Sequence, residues 1–170
     1  MGTAQEVLCR ATVEYDGTDY YGFQIQIGVP TIQGVLEQSL QQLTQRKTRV
    51  VGAGRTDAGV HASGQVISFQ SAWKHSLSDL QRSMNAVLPS GIAVFDISEA
   101  PVGFHARFSA KGRRYRYIVF NQAFRSPLKE RYVNHEPEPL DLASMSKAAS
   151  YLTGQHDFAA YGNSPNGGHT

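Results

Sequence analysis

Val7-Leu8-Cys9-Arg10-Ala11-Thr12-Val13-Glu14-Tyr15 is the stretch from which the fold is read. Val7, Cys9, Ala11, Val13 and Tyr15 alternate with Leu8, Arg10, Thr12 and Glu14, a period of two that places the first set on one face of a strand. Asp16-Gly17-Thr18 then turns the chain. Ile32, Val35, Leu36, Leu40 and Leu43 share one face of a helix that follows Pro30 and a capping Thr31. Arg49 to Ala53 reads as a short strand, a Gly-rich loop follows, and Gln65 to Phe69 reads as another strand. A second helix opens with Ser76 and Asp79 at capping-box spacing and repeats Leu77, Leu80, Met84 and Val87. Pro89-Ser90-Gly91 stops it, and Ile92 to Ile97 forms the next strand.

The order over residues 7–97 is β-α-β-β-α-β. That is the ferredoxin-like α+β arrangement, an antiparallel sheet with both helices on one face. After Ala100-Pro101 the pattern restarts. Arg113 to Phe120 alternates, which predicts a strand with Tyr115, Tyr117 and Val119 on one face and Arg114, Arg116 and Ile118 on the other. A helix is expected from a cap at Asp141 through Leu142, Met145, Ala149 and Leu152, with Gly154 placed to end it. His156-Asp157-Phe158 and a Gly- and Asn-rich tail, Asn163 to Thr170, close the sequence. We therefore expect a first domain over residues 1–100 and an incomplete second α+β domain over residues 101–170.

Composition bounds the class. Hydrophobic residues make up 41% and charged residues 18%, enough apolar material for a core and too little charge for a disordered chain. The single cysteine, Cys9, lies in the first strand and reads as a small buried apolar residue. No basic-then-apolar leader opens the chain, no run approaches a membrane span, and Glu6 breaks a myristoylation signal at Met1-Gly2. The expectation is a cytoplasmic protein with no membrane partner.

The net charge of +2 decides little, but its distribution is uneven. Between Glu99 and Glu130 no acid occurs, while seven bases do: Arg107, Lys111, Arg113, Arg114, Arg116, Arg125 and Lys129. Phe104, Phe108, Tyr115, Tyr117, Phe120 and Phe124 are interleaved with them. Between Glu37 and Asp57 lie Arg46, Lys47, Arg49 and Arg55, again without an acid. Phosphates attract cations and unstacked bases need flat apolar faces, so both segments point to nucleic acid.

Gly52-Ala53-Gly54-Arg55-Thr56-Asp57-Ala58-Gly59-Val60-His61-Ala62 is the stretch that bears on chemistry. Asp57 occupies the third glycine position of a dinucleotide fingerprint, and no Gly-Lys-Ser/Thr follows to make a phosphate-binding loop. What is left is one carboxylate, with a guanidinium two residues before it, on a Gly-rich turn between strands. On pattern alone, Asp57 or Thr56 could equally cap that turn.

The neighbouring segments shift the balance. The 52–62 block resembles the hallmark of the tRNA pseudouridine synthase A family. The resemblance continues in family order through Tyr15-Asp16-Gly17-Thr18, Gly22-Phe23-Gln24-Ile25-Gln26, Thr31-Ile32-Gln33 and Leu36-Glu37. It resumes at Asn85, Leu88-Pro89, Phe104-His105-Ala106-Arg107, Arg114-Tyr115-Arg116-Tyr117 and His156-Asp157-Phe158.

This resemblance implies a cofactor-free isomerase that converts uridine to pseudouridine in the anticodon stem-loop of tRNA, at positions 38, 39 and 40. Asp57 would act on the ribose, either attacking C1′ or removing a ribose proton. Tyr115 would stack on the target uracil and serve proton transfer at C5, and Arg55 would fill the space of the extruded base. Arg107, Arg114 and Arg116 would hold the RNA backbone. A homodimer is implied too. The family's members are longer, and their later part supplies a basic partner for the aspartate. A non-catalytic RNA-binding fragment is the alternative.

Two rivals fit less well. An RNA recognition motif shares the element order, but its central strand carries paired aromatics where this chain has Gln65-Val66-Ile67-Ser68-Phe69. A metal-dependent hydrolase would need ligand spacing that His61, His75, His105, His135, His156 and His169 do not provide, so no metal is expected.

Overall fold

The first strand, β1, runs from Val7 to Tyr15 and buries Cys9, Ala11, Val13 and Tyr15, the inward set of its alternation. These observations come from a computed structural model that describes residues 6–161. The tail at 163–170, with His169, lies outside the described residues. The described chain divides into two compact units, Met1–Arg116 and Tyr117–Thr170.

In the first unit, β1 is followed by α1 (Ile32–Thr44), β2 (Val51–Gly52), β3 (Ala62–Ser71), α2 (Leu77–Val87) and β4 (Ile92–Glu99). The sheet is antiparallel with strand order β2-β3-β1-β4. Both helices begin where their sequences place the caps. The Thr31 hydroxyl accepts from the Gly34 N–H, and the Ser76 hydroxyl from the Asp79 N–H. Ile32, Leu36 and Leu40 of α1 join Leu80 and Met84 of α2 in one core with Ile67, Phe69 and Val94 of the sheet. Truncating a core leucine such as Leu40 removes apolar burial and leaves a cavity, a loss of about 2–5 kcal/mol.

Cys9 is fully buried in this core, and burial, aided by the Glu99 charge on the neighbouring strand, pushes its thiol pKa up to about 11.

Strand β4 is an end strand, so part of its backbone has no strand partner. The Asn85 carboxamide substitutes for one. Its Nδ2 donates to the Val94 carbonyl at 2.7 Å and its Oδ1 accepts the Val94 N–H at 2.8 Å. Asn85→Ala forfeits both bonds and is expected to lower the stability of the first unit by about 1–2 kcal/mol. Chemical denaturation followed by Trp73 fluorescence measures this, and an unchanged midpoint would show that water replaces the amide at no cost.

The first unit continues past residue 100. Ala106 is buried, and its N–H reaches the Ser68 hydroxyl of β3 at 3.4 Å. The unit runs as far as Arg116, so Tyr115 belongs with it.

The strand expected over Arg113–Phe120 is not formed. Only Val119–Phe120 is strand, β5, paired in parallel with β6 (Asn134–His135) in the second unit. Residues 111–117 alternate well, but among the described residues no neighbouring strand takes up their N–H and C=O groups, and Tyr115 and Tyr117 stand 73% and 80% exposed. Tyr115 is therefore not on a strand, and Arg114 and Arg116 share no strand face.

The second unit holds β5, β6, α3 (Leu142–Ser150) and a short 3₁₀ turn at Ala159–Tyr161. Asp141 caps α3 as its position suggests, accepting from the N–H groups of Ala143 and Ser144. No residue of α3 is buried among the described residues, and Leu142 and Met145 of its apolar face are exposed. None of the described helices is long and apolar enough to cross a membrane.

Candidate functional site

The Gly-rich stretch is the connection between β2 and β3, and Asp57 stands on it, exposed. Among the described residues its carboxylate makes no hydrogen bond and no ion pair. The backbone beneath it is fastened at several points. The Ala53 N–H bonds the Val66 carbonyl at 2.8 Å, continuing the ladder one residue past β2. Gln65 Nε2 donates to the Gly54 carbonyl at 2.6 Å, and Arg113 Nη2 donates to the Ala53 carbonyl at 2.7 Å. The Phe23 N–H bonds the Thr56 carbonyl at 3.0 Å, and the Gly59 N–H bonds the Tyr20 carbonyl at 3.2 Å.

Thr56, next to the carboxylate, is tied by its side chain as well. Its hydroxyl lies 2.9 Å from the hydroxyl of buried Tyr15, the last residue of β1. Burial raises the Tyr15 phenol pKa, while hydrogen bonds from Thr56 and Gln65 pull it down. The Tyr115 phenol adds to the rise. A register shift in the β1–β3 ladder between Val13 and Tyr15 puts an extra residue into β3 just after the loop, where bulges commonly re-aim a chain.

The segment after β1 packs directly on this loop, and glycines make that possible. A Cβ on Gly17 would meet the Val60 carbonyl oxygen at 2.1 Å, and one on Gly22 would meet that of Thr56 at 2.6 Å. Gly22 also has φ +87°, a conformation side chains disfavour. The Phe23 ring lies over Gly52, where a Cβ would come within 2.6 Å of it. At the far end, His61 Nδ1 is 3.1 Å from both the Gly17 nitrogen and Asp16 Oδ1. An unprotonated Nδ1 accepts from Gly17, a protonated one donates to Asp16, and both hold the turn to the loop.

Beyond Phe23, the chain is seated on α1 by Gln33. Its buried carboxamide accepts the Ile25 N–H and donates to the Val50 carbonyl and to Glu37. Sequence blocks far apart along the chain thus converge on one loop.

The segments that converge there lie within one family match. The sequence profile described as tRNA pseudouridine synthase matches residues 11–109. The chain belongs to the tRNA pseudouridine synthase family. It is 45% identical over 158 residues to the tRNA pseudouridine synthase A of Roseiflexus castenholzii, covering 93% of this chain and 58% of that protein. It is 41% identical over 150 residues to that of Caldicellulosiruptor saccharolyticus, covering 88% and 62%. For Chloroflexus aurantiacus the identity is 47% over 147 residues, covering 86% and 53%. The chain spans 53–62% of the length of these curated relatives.

Of the residues singled out in this synthase-family chain, Arg55, Asp57, Arg107, Arg114, Tyr115 and Arg116 are all exposed and all lie in the first unit. The basic stretch is less uniform than its sequence suggests. Arg125 pairs with Glu130 at 3.4 Å, Lys129 stands over the Phe120 ring at 4.6 Å, and Arg113 is engaged with Ala53. Arg107 lies over the exposed Phe108 ring, which stacks on His105. Lys111, Arg114 and Arg116 have no partner among the described residues. In the other basic segment Arg46 pairs with Glu6, while Lys47 and Arg49 border an open cavity of about 490 Å³ beside α1. Among the described residues no group of three or more His, Cys, Asp or Glu side chains is placed to hold a metal.

The supports of the loop were the part that sequence reasoning missed. Tyr15, Gly17, Gly22, Phe23, Gln33 and Gln65 were visible as residues without roles. The available signal was glycine close to an aromatic, Gly17 two residues after Tyr15 and Gly22 between Tyr21 and Phe23.

Proposed function

We propose that this chain is the Asp57-bearing part of a tRNA uridine isomerase that forms pseudouridine without a cofactor. The observation that carries the reading is the exposed, unpartnered Asp57 carboxylate on a loop fastened from both sides, in a chain of this family. A group that must meet ribose needs a fixed backbone and a free carboxylate.

In the proposed reaction the N1–C1′ bond breaks and uracil leaves with the electron pair. The base turns, C5 bonds to C1′, the C5 proton is released and N1 gains one. Asp57 either attacks C1′ or removes a ribose proton to open this path. Tyr115 stacks on the uracil and serves the C5 proton, Arg55 fills the vacated place in the helix, and Arg107, Arg114 and Arg116 hold phosphates. The strand order and the two helices in one core support a ferredoxin-like first domain. The anticodon stem-loop as target, a homodimer and a cytoplasmic setting belong to the same proposal.

Tritium release from tRNA labelled at uridine C5, measured on the full gene product, tests the reading. Release in step with pseudouridine formation is expected, and none at all would sink it. The uncovered apolar face of α3 and the greater length of the relatives favour a second reading for the 170-residue chain alone, that of an RNA-binding fragment. It would bind tRNA and release no tritium.

The phosphate contacts have their own readout. Replacing Arg114 and Arg116 with Gln is expected to flatten the log–log salt dependence of tRNA binding by about 0.7–0.9 for each phosphate no longer neutralised. An unchanged slope would show that these two side chains do not meet the backbone.

A further inference from the structure

We propose that Arg113, which sits among the bases expected to hold phosphate, is instead a positioning residue that ties the Tyr115 segment to the Asp57 loop. The inference rests on the reading of Asp57 and Tyr115 as residues that meet the uridine. Its own basis is geometric.

Residues 111–118 form no strand, and residues 110–117 make no backbone hydrogen bond among the described residues. Something else must fix Tyr115. Two residues before it, the Arg113 guanidinium donates to the Ala53 carbonyl at 2.7 Å, a link across 60 positions of sequence. The same side chain fills the space above Gly54. A Cβ there would lie 2.9 Å from Arg113 Nε and 3.5 Å from its Cδ. Ala53 and Gly54 are where the loop leaves β2. The Ala53 N–H is held by Val66 and the Gly54 carbonyl by Gln65, so Arg113 completes the set at that departure point.

The planar guanidinium suits this place. It carries its donors in a fixed fork on a stem long enough to lie across a glycine. Gly54 is thereby explained as well: its φ is not positive, so what its position requires is room for Arg113. The tie sets the separation of the stacking ring and the carboxylate, and a displacement of about 1 Å in such a pair can cost on the order of a hundredfold in rate.

The test compares Arg113→Ala, Gly54→Ala and the double variant in the full gene product. Gly54→Ala displaces the guanidinium and keeps its charge. Both single variants are expected to lower the single-turnover rate tenfold to on the order of a hundredfold. The tRNA dissociation constant and its salt slope should stay unchanged. In hydrogen exchange the amides of Ala53 and Val60 should open about fivefold faster, as loss of one hydrogen bond implies. The double variant should be no worse than the poorer single one, because both break the same tie.

Additive losses in the double variant would overturn the proposal. So would an Arg113→Ala protein with normal rate and exchange but a slope flattened by about 0.7 or more, the mark of a phosphate contact. If the wild-type protein releases no tritium, the isomerase reading falls, and the exchange arm still decides whether Arg113 clasps the loop.

Discussion

Asp57→Asn is expected to abolish pseudouridine formation in the full gene product while leaving both the fold and tRNA binding in place. The substitution keeps the shape and removes the negative charge. Since the carboxylate is exposed and without a hydrogen bond among the described residues, the fold has nothing to lose at this position. A stability change within about 0.5 kcal/mol is expected. The loop itself is held by backbone groups and by the side chains of Thr56, Gln65 and Arg113, not by the Asp57 side chain. Chemistry is where the loss falls, because an amide neither attacks C1′ nor takes a ribose proton. A reacting group of this kind is worth on the order of 10⁴-fold. Single-turnover assays with saturating enzyme separate this from binding. Turnover by Asp57→Asn within about tenfold of the wild type would remove Asp57 from the mechanism, against a contribution of that size.

How far the sequence could be read depended on where each residue finds its partner. In β1 the partner is the core, and the alternation of Cys9, Ala11 and Val13 reports it directly. In α1, α2 and α3 the caps Thr31, Ser76 and Asp141 act on N–H groups two or three residues away, so local spacing suffices. The 113–118 segment failed for the converse reason. Its alternation is as good as that of β1, but a strand exists only where a neighbour shares its hydrogen bonds, and among the described residues that begins only at the Ile118 carbonyl, which accepts the Asn134 N–H. Arg113 shows the same limit. As one base in an acid-free run it reads as a phosphate contact, and its link to Ala53, distant in sequence, is not legible there. Asp57 was legible through its surrounding block, while the residues that hold it were legible only as a pattern without a cause.

Gly17→Ala is expected to cause the largest structural effect of any single methyl group added near the site. The new Cβ would lie 2.1 Å from the Val60 oxygen and 2.6 Å from the Val60 carbonyl carbon. No flexible side chain can swing away, because both atoms are backbone. The backbone of Gly17 is not in the left-handed region, so the penalty is steric and not conformational. Either the Asp16–Thr18 turn lifts off, breaking the Gly17–His61 contact, or residues 59–61 retreat and carry the end of the Asp57 loop with them. Overpacking of this kind costs about 1–3 kcal/mol. A shift of about 1 Å at the carboxylate costs on the order of a hundredfold in rate. tRNA affinity should hold, since Arg107, Arg114 and Arg116 lie elsewhere in the chain. Gly112→Ala supplies the control: that glycine has no positive φ and no atom within 4 Å of the added Cβ, so activity and stability should not change. If Gly17→Ala matches Gly112→Ala in rate and melting temperature, the turn does not press on the loop, and the close approach at Gly17 has no part in holding Asp57.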